Sequence, residues 1–60
     1  MENMIDALLA KHGIRRIKAI ITIGNATRYH ATAFDMKRLE ALAEKLEVKV
    51  QDLIDWFMED

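Results

Sequence analysis

The side chains best placed to do chemistry are cations. Between Lys11 and Arg38 stand Lys11, Arg15, Arg16, Lys18, Arg28, Lys37 and Arg38, with Asp35 as the single acid, so seven minus one leaves this stretch at +6. His12 and His30 lie in it as well. The rest of the chain holds nine carboxylates against Lys45 and Lys49, or −7, and the total charge is −1. A basic middle between acidic ends is suited to neutralising a polyanion by ion pairing and counterion release. Other chemistry is poorly supplied. Neither Cys nor Ser occurs, which removes their nucleophilic catalysis, thiolate zinc sites and disulfides. Ile23-Gly24-Asn25-Ala26-Thr27 has one glycine and no following Lys, so it is no phosphate-cradling loop. Two isolated histidines make a poor metal set. No catalytic residue, metal or cofactor is expected, and the chain reads as a non-enzyme.

These cations need elements to hold them. Sixty residues, 52% apolar, suffice for one small domain spanning 1–60 and too little for two cores. Apolar residues recur at helical spacing over 3–12 (Met4, Ile5, Leu8, Leu9), with Asn3 as N-cap and Gly13 as stop. Residues 16–23 are dense in isoleucine, which favours a strand, and Gly24-Asn25 signals a turn before a second strand over 27–33. Strand side chains alternate faces. Ile17, Ala19, Ile21, Ile23, Thr27, Tyr29, Ala31 and Ala33 then share the inner, mostly apolar face, and Arg16, Lys18, Ile20, Thr22, Arg28, His30, Thr32 and Phe34 share the outer, mostly polar and basic one. A three-residue loop, 24–26, keeps that register. An isolated ribbon is marginal in water, so it must lie on a helix or on a second copy.

Asp35 is the N-cap candidate for a helix over 36–46, carrying Met36, Leu39, Leu42, Ala43 and Leu46 on one face. Val48-Lys49-Val50 interrupts it, and a last helix over 50–58 follows. One continuous helix is the alternative, because Met36, Leu39, Ala43, Leu46, Val50, Leu53 and Phe57 also fit a heptad seam. Leu42, Val48 and Ile54 lie off that seam and favour the break. The expected fold class is therefore α+β: an N-terminal helix, a two-stranded antiparallel hairpin and two C-terminal helices. A homodimer is expected, since so small a core has no covalent staple.

Leu39 to Ile54 (LEALAEKLEVKVQDLI) resembles the last two helices of lambda-repressor/Cro-like helix-turn-helix regulators, which often read Leu-x-x-Leu-Ala-x-x-Leu-Gly-Val and then Asp-Leu-Leu. Leu8 to Ile14 is similar to the end of their first helix. The likeness covers 36–54 and 8–14. Glu47 stands where the family has Gly, Lys49 where it has a capping Ser or Thr, and the central helix-turn-helix is not recognisable. A ribbon followed by two helices is also loosely similar to ribbon-helix-helix regulators. Both likenesses imply DNA binding.

The leading expectation is a small DNA-binding protein, a transcriptional regulator that grips duplex DNA through its basic hairpin face. Its binding residues would be Arg15, Arg16, Lys18, Thr22, Arg28, His30, Lys37 and Arg38, since a two-stranded ribbon fits the major groove. The rival is a protein-interaction or dimerisation module without a nucleic-acid role, with Trp56 and Phe57 as interface anchors and the basic band of one subunit meeting the acidic ends of a neighbour. No run is long enough to span a membrane and the first residues do not form a signal peptide, so a cytoplasmic protein is expected.

Overall fold

In the computed structural model, which describes residues 3–28 and 32–59, four helices follow one another: α1 (Met4–Lys11), α2 (Arg16–Thr27), α3 (Ala33–Leu46) and α4 (Val50–Met58). No strand occurs among the described residues. The fold is all-α, and the expected hairpin with strands at 16–23 and 27–33 is overturned: α2 covers the first strand and the supposed turn, and α3 begins at Ala33. Residues 29–31, the middle of the second supposed strand, lie outside the described residues.

The correction has a physical basis. Residues 16–27 carry two superimposed periods. Ile17, Ala19, Ile21 and Ile23 alternate as in a strand, but Ala19, Ile20, Ile23 and Ala26 recur as on a helix face. The helical set wins: Ala19, Ile23 and Ala26 are buried and Ile20 packs against them. Ile17 and Ile21 are left outside, 57% and 55% exposed. A lone ribbon has nothing to bury its second face against, whereas a helix here packs on both α3 and α4. Two threonines fit the helix by turning their hydroxyls back onto its backbone. Thr22 Oγ1 donates to the Lys18 carbonyl (2.9 Å) and Thr27 Oγ1 to the Ile23 carbonyl (2.8 Å). Gly24 makes no turn. It is buried inside α2, where the Phe57 ring lies so close that an added Cβ would meet its Cζ at 3.8 Å.

The other helices start and stop by local chemistry. Asn3 caps α1, its Oδ1 accepting from the Ile5 N–H at 2.8 Å. Thr32, and not Asp35, caps α3. Thr32 Oγ1 accepts from the Asp35 N–H (3.1 Å), and Asp35 Oδ2 accepts from the Thr32 N–H (3.2 Å), a reciprocal capping box. Asp35 is thus the third residue of the helix. Two helix ends share a closure. Ile14 N–H donates to the Leu9 carbonyl (2.9 Å) past Gly13, and Val48 N–H donates to the Ala43 carbonyl (3.0 Å) past Glu47. Gly13 has φ +67 and Glu47 φ +57, so both occupy the left-handed region that such endings use. At 47 that conformation falls on a residue with a Cβ, and there the chain breaks between α3 and α4, which excludes the continuous heptad helix. Asp52 Oδ2 then accepts from the Lys49 N–H (3.1 Å) at the start of α4.

The core draws on every helix: Ile5 and Leu9 from α1, Ala19, Ile23 and Ala26 from α2, Leu39, Ala43 and Leu46 from α3, Leu53 and Trp56 from α4. α3 packs against each of the other three. Ile23, Leu39, Leu46 and Leu53 are wholly buried, each contributing about 1.5–3 kcal/mol of hydrophobic burial. The radius of gyration, 10.7 Å, matches the roughly 10 Å expected of a compact chain this long.

Candidate functional site

Winding residues 16–27 into a helix parts the cations that a ribbon face would have gathered. Arg16 and Arg28 turn toward α4, and Lys18 turns toward α3. Arg16 Nε lies 3.3 Å from Asp6 Oδ1, with its guanidinium 5.4 Å from the centre of the Trp56 ring. Trp56 Nε1–H donates to the same Asp6 Oδ1 at 3.2 Å. Arg16, Asp6 and Trp56 therefore tie α2, α1 and α4 together. Trp56 is 4% exposed and belongs to the core, so it is no protruding anchor. The Arg28 guanidinium sits 5.1 Å from the Phe57 ring centre, and Phe57 is half-buried against the core. Arg15 is the exposed N-cap residue of α2, and Lys37 is exposed on α3. His30 lies outside the described residues.

Three of the expected binding residues do come together. Lys18 and Thr22 from α2 and Arg38 from α3 line one groove of about 430 Å³, joined by Lys45 at the far end of α3. Its floor is apolar: Ile14, Ala41 and Leu42. No carboxylate is among its described lining residues, and none of the three cations is ion-paired to a described carboxylate. α2 starts here without a side-chain cap or an acid in its first turn, so the positive end of its dipole adds to the field of Lys18. Arg38 is held by its own helix, its guanidinium 4.3 Å from the exposed Phe34 ring. Such a groove can accept negative charge at its rim and apolar side chains along its floor.

Sequence reasoning missed Lys45 and the floor. A signal for both was present: Arg38, Ala41, Leu42 and Lys45 fall three, four and seven residues apart, which places them along one side of α3. Lys45 stood apart from the basic segment only because Glu40 and Glu44 lie between it and Arg38 in sequence, on another side of the helix.

A second, wider depression of about 690 Å³ lies between α1 and the α3–α4 turn, with Met4, Leu8 and Val48 beside Lys11, His12, Glu47, Lys49 and Asp52. Its charges are of both signs. No group of three or more His, Asp or Glu side chains able to hold a metal occurs among the described residues. No described helix is long and apolar enough to cross a membrane. Compared with known proteins, the chain matches no family model, no curated protein and no solved structure.

Proposed function

We propose that this chain is a protein-interaction module without catalytic activity, whose α2–α3 groove receives an acidic amphipathic segment of a partner protein. One observation carries the reading: an apolar floor of Ile14, Ala41 and Leu42 bordered by Lys18, Arg38 and Lys45 with no lining carboxylate. Duplex DNA presents charge and base edges, and it has little to place on an apolar floor. An amphipathic helix offers both apolar anchors and flanking carboxylates. Ile17, Ile21 and Phe34 on the same two helices are also exposed. The reading takes the module as cytoplasmic.

The test is an amide chemical-shift titration of the labelled protein with two probes: a short synthetic helix bearing glutamates on one side and leucines on the other, and a DNA duplex of equal net charge. The peptide is expected to shift Ile14, Lys18, Thr22, Ala41 and Leu42. Its affinity should fall about tenfold in Lys18→Glu/Lys45→Glu. Tighter binding of the duplex on those same residues, or no response to the peptide, overturns the proposal.

A further inference from the structure

α2 turns two isoleucines away from the core. Ile17 is 57% and Ile21 55% exposed, one turn apart on the same side of the helix. A helix turns about 100° per residue, so Ile17, Ile21 and Arg28 fall within about 40° of one another, and Lys18 falls about 60° beyond Ile21. The pair thus forms an outward ridge flanked by two exposed cations. Toward α3 lies the groove, with Lys18, Arg38 and Lys45 and no carboxylate among its described lining residues. Toward α4 lies Phe57, against Gly24 and beside the Arg28 guanidinium. The acids at the end of the chain lie elsewhere: Asp52, Asp55 and Glu59 border a hollow beside Asn3, Met4 and Ile5 of α1. No Asp or Glu occurs in sequence between Asp6 and Asp35, and Asp6 is engaged by Arg16 and Trp56.

We propose that this ridge docks the protein on an anionic lipid surface, Ile17 and Ile21 entering the headgroup region and Lys18 and Arg28 pairing with the phospholipid headgroups around them. This contact is separate from the groove and does not depend on what the groove holds. Charge and shape select the occupant. The same ridge of a second copy would set Lys18 and Arg28 against two further cations, which repel. Duplex DNA matches the cations and offers the isoleucines little apolar surface. The isoleucines protrude from a helix, so a protein partner would need a pocket shaped to them. A lipid surface yields to what enters it and supplies negative charge along the whole ~17 Å from Ile17 to Arg28. α2 lies along that surface and does not cross it, its inner side buried against α3 and α4. Two cations and two partly inserted side chains make the contact weak and reversible.

Co-sedimentation with vesicles tests this. Vesicles of phosphatidylcholine containing about a third phosphatidylserine should carry the protein down, phosphatidylcholine alone should not, and high salt should release it. Two variants at exposed positions read the two components, with helix content checked by circular dichroism. Lys18→Gln/Arg28→Gln should weaken retention about 25-fold, at about fivefold per cation. Ile17→Gln/Ile21→Gln should weaken it at least about tenfold, since each inserted methylene is a factor of about four. No retention on the anionic vesicles, equal retention on neutral ones, or indifference to either variant overturns the proposal. The synthetic acidic helix separates this surface from the groove. If the vesicles fail to bind while the peptide still shifts Ala41 and Leu42, lipid docking falls and the groove reading stands. If the vesicles bind as described and the peptide does not, the groove reading falls and lipid docking stands. A peptide that shifts Ile17 and Ile21 and displaces the vesicles makes the ridge a protein site and overturns the proposal.

Discussion

Replacing Asp6 by alanine should cost this small domain a large part of its stability, although Asp6 is only half-buried. Its Oδ1 accepts from Trp56 Nε1–H at 3.2 Å and faces Arg16 Nε at 3.3 Å. Removing the carboxylate strands the N–H of an indole that is 4% exposed, at about 1–3 kcal/mol for a buried donor left unpaired. The Arg16 pair adds less. Its side chains are 50% and 41% exposed, so solvent screening holds it below about 1 kcal/mol. Asp6→Ala should therefore destabilise by about 2 kcal/mol, which in a domain this size lowers Tm by roughly 8–16 °C. Asp6→Asn keeps an acceptor for Trp56 and forfeits only the ion pair, so it should lose under about 1 kcal/mol. Trp56 is the only tryptophan, so urea unfolding followed by its fluorescence reads the same indole whose partner is removed. The reasoning is refuted if alanine lies within about 0.5 kcal/mol of the parent, or if asparagine is as damaging as alanine.

Two backbone predictions point the other way. Gly24→Ala should stabilise by about 0.5–1 kcal/mol, because the glycine is inside a helix and a new Cβ would meet Phe57 at an ordinary 3.8 Å; a lower Tm would show that the α2–α4 approach tolerates no extra carbon. Glu47→Gly should stabilise by about 1 kcal/mol, since glycine adopts φ +57 without the Cβ clash that glutamate bears there. Thermal melts of the single and double variants check both, with additive gains expected because Gly24 lies within α2 and Glu47 in the turn after α3.

The helices at the two ends of the chain could be read locally. Asn3 followed by Met4, Ile5, Leu8 and Leu9, and then Gly13, states a start, a stripe and a stop within one short window. The same holds after residue 36, where Val48 and Val50 interrupt the pattern and the structure turns at Glu47. Thr32-Ala33-Phe34-Asp35 also carried its capping signal, Thr followed by an acid three residues on, but the supposed strand ending at residue 33 hid it. The central segment was different in kind. Isoleucines at 17, 20, 21 and 23 satisfy a strand and a helix about equally, and β-branched residues tilt the local choice toward the strand.

What the residues alone determined is therefore composition and local punctuation: a chain without cysteine or serine chemistry, the segregation of charge, the cap and stop of α1, and the break between α3 and α4. Tertiary structure decided α2. Ala19, Ile23 and Ala26 reach one core only when the segment is helical, and that burial against α3 and α4 outweighs the strand preference of its isoleucines. The same choice decided where the cations went. A strand would have lined up Arg16, Lys18 and Arg28, but a helix turns by about 100° per residue and sends Arg16 and Arg28 to the rings of α4, leaving Lys18 to meet Arg38 and Lys45 across a groove that no single element contains.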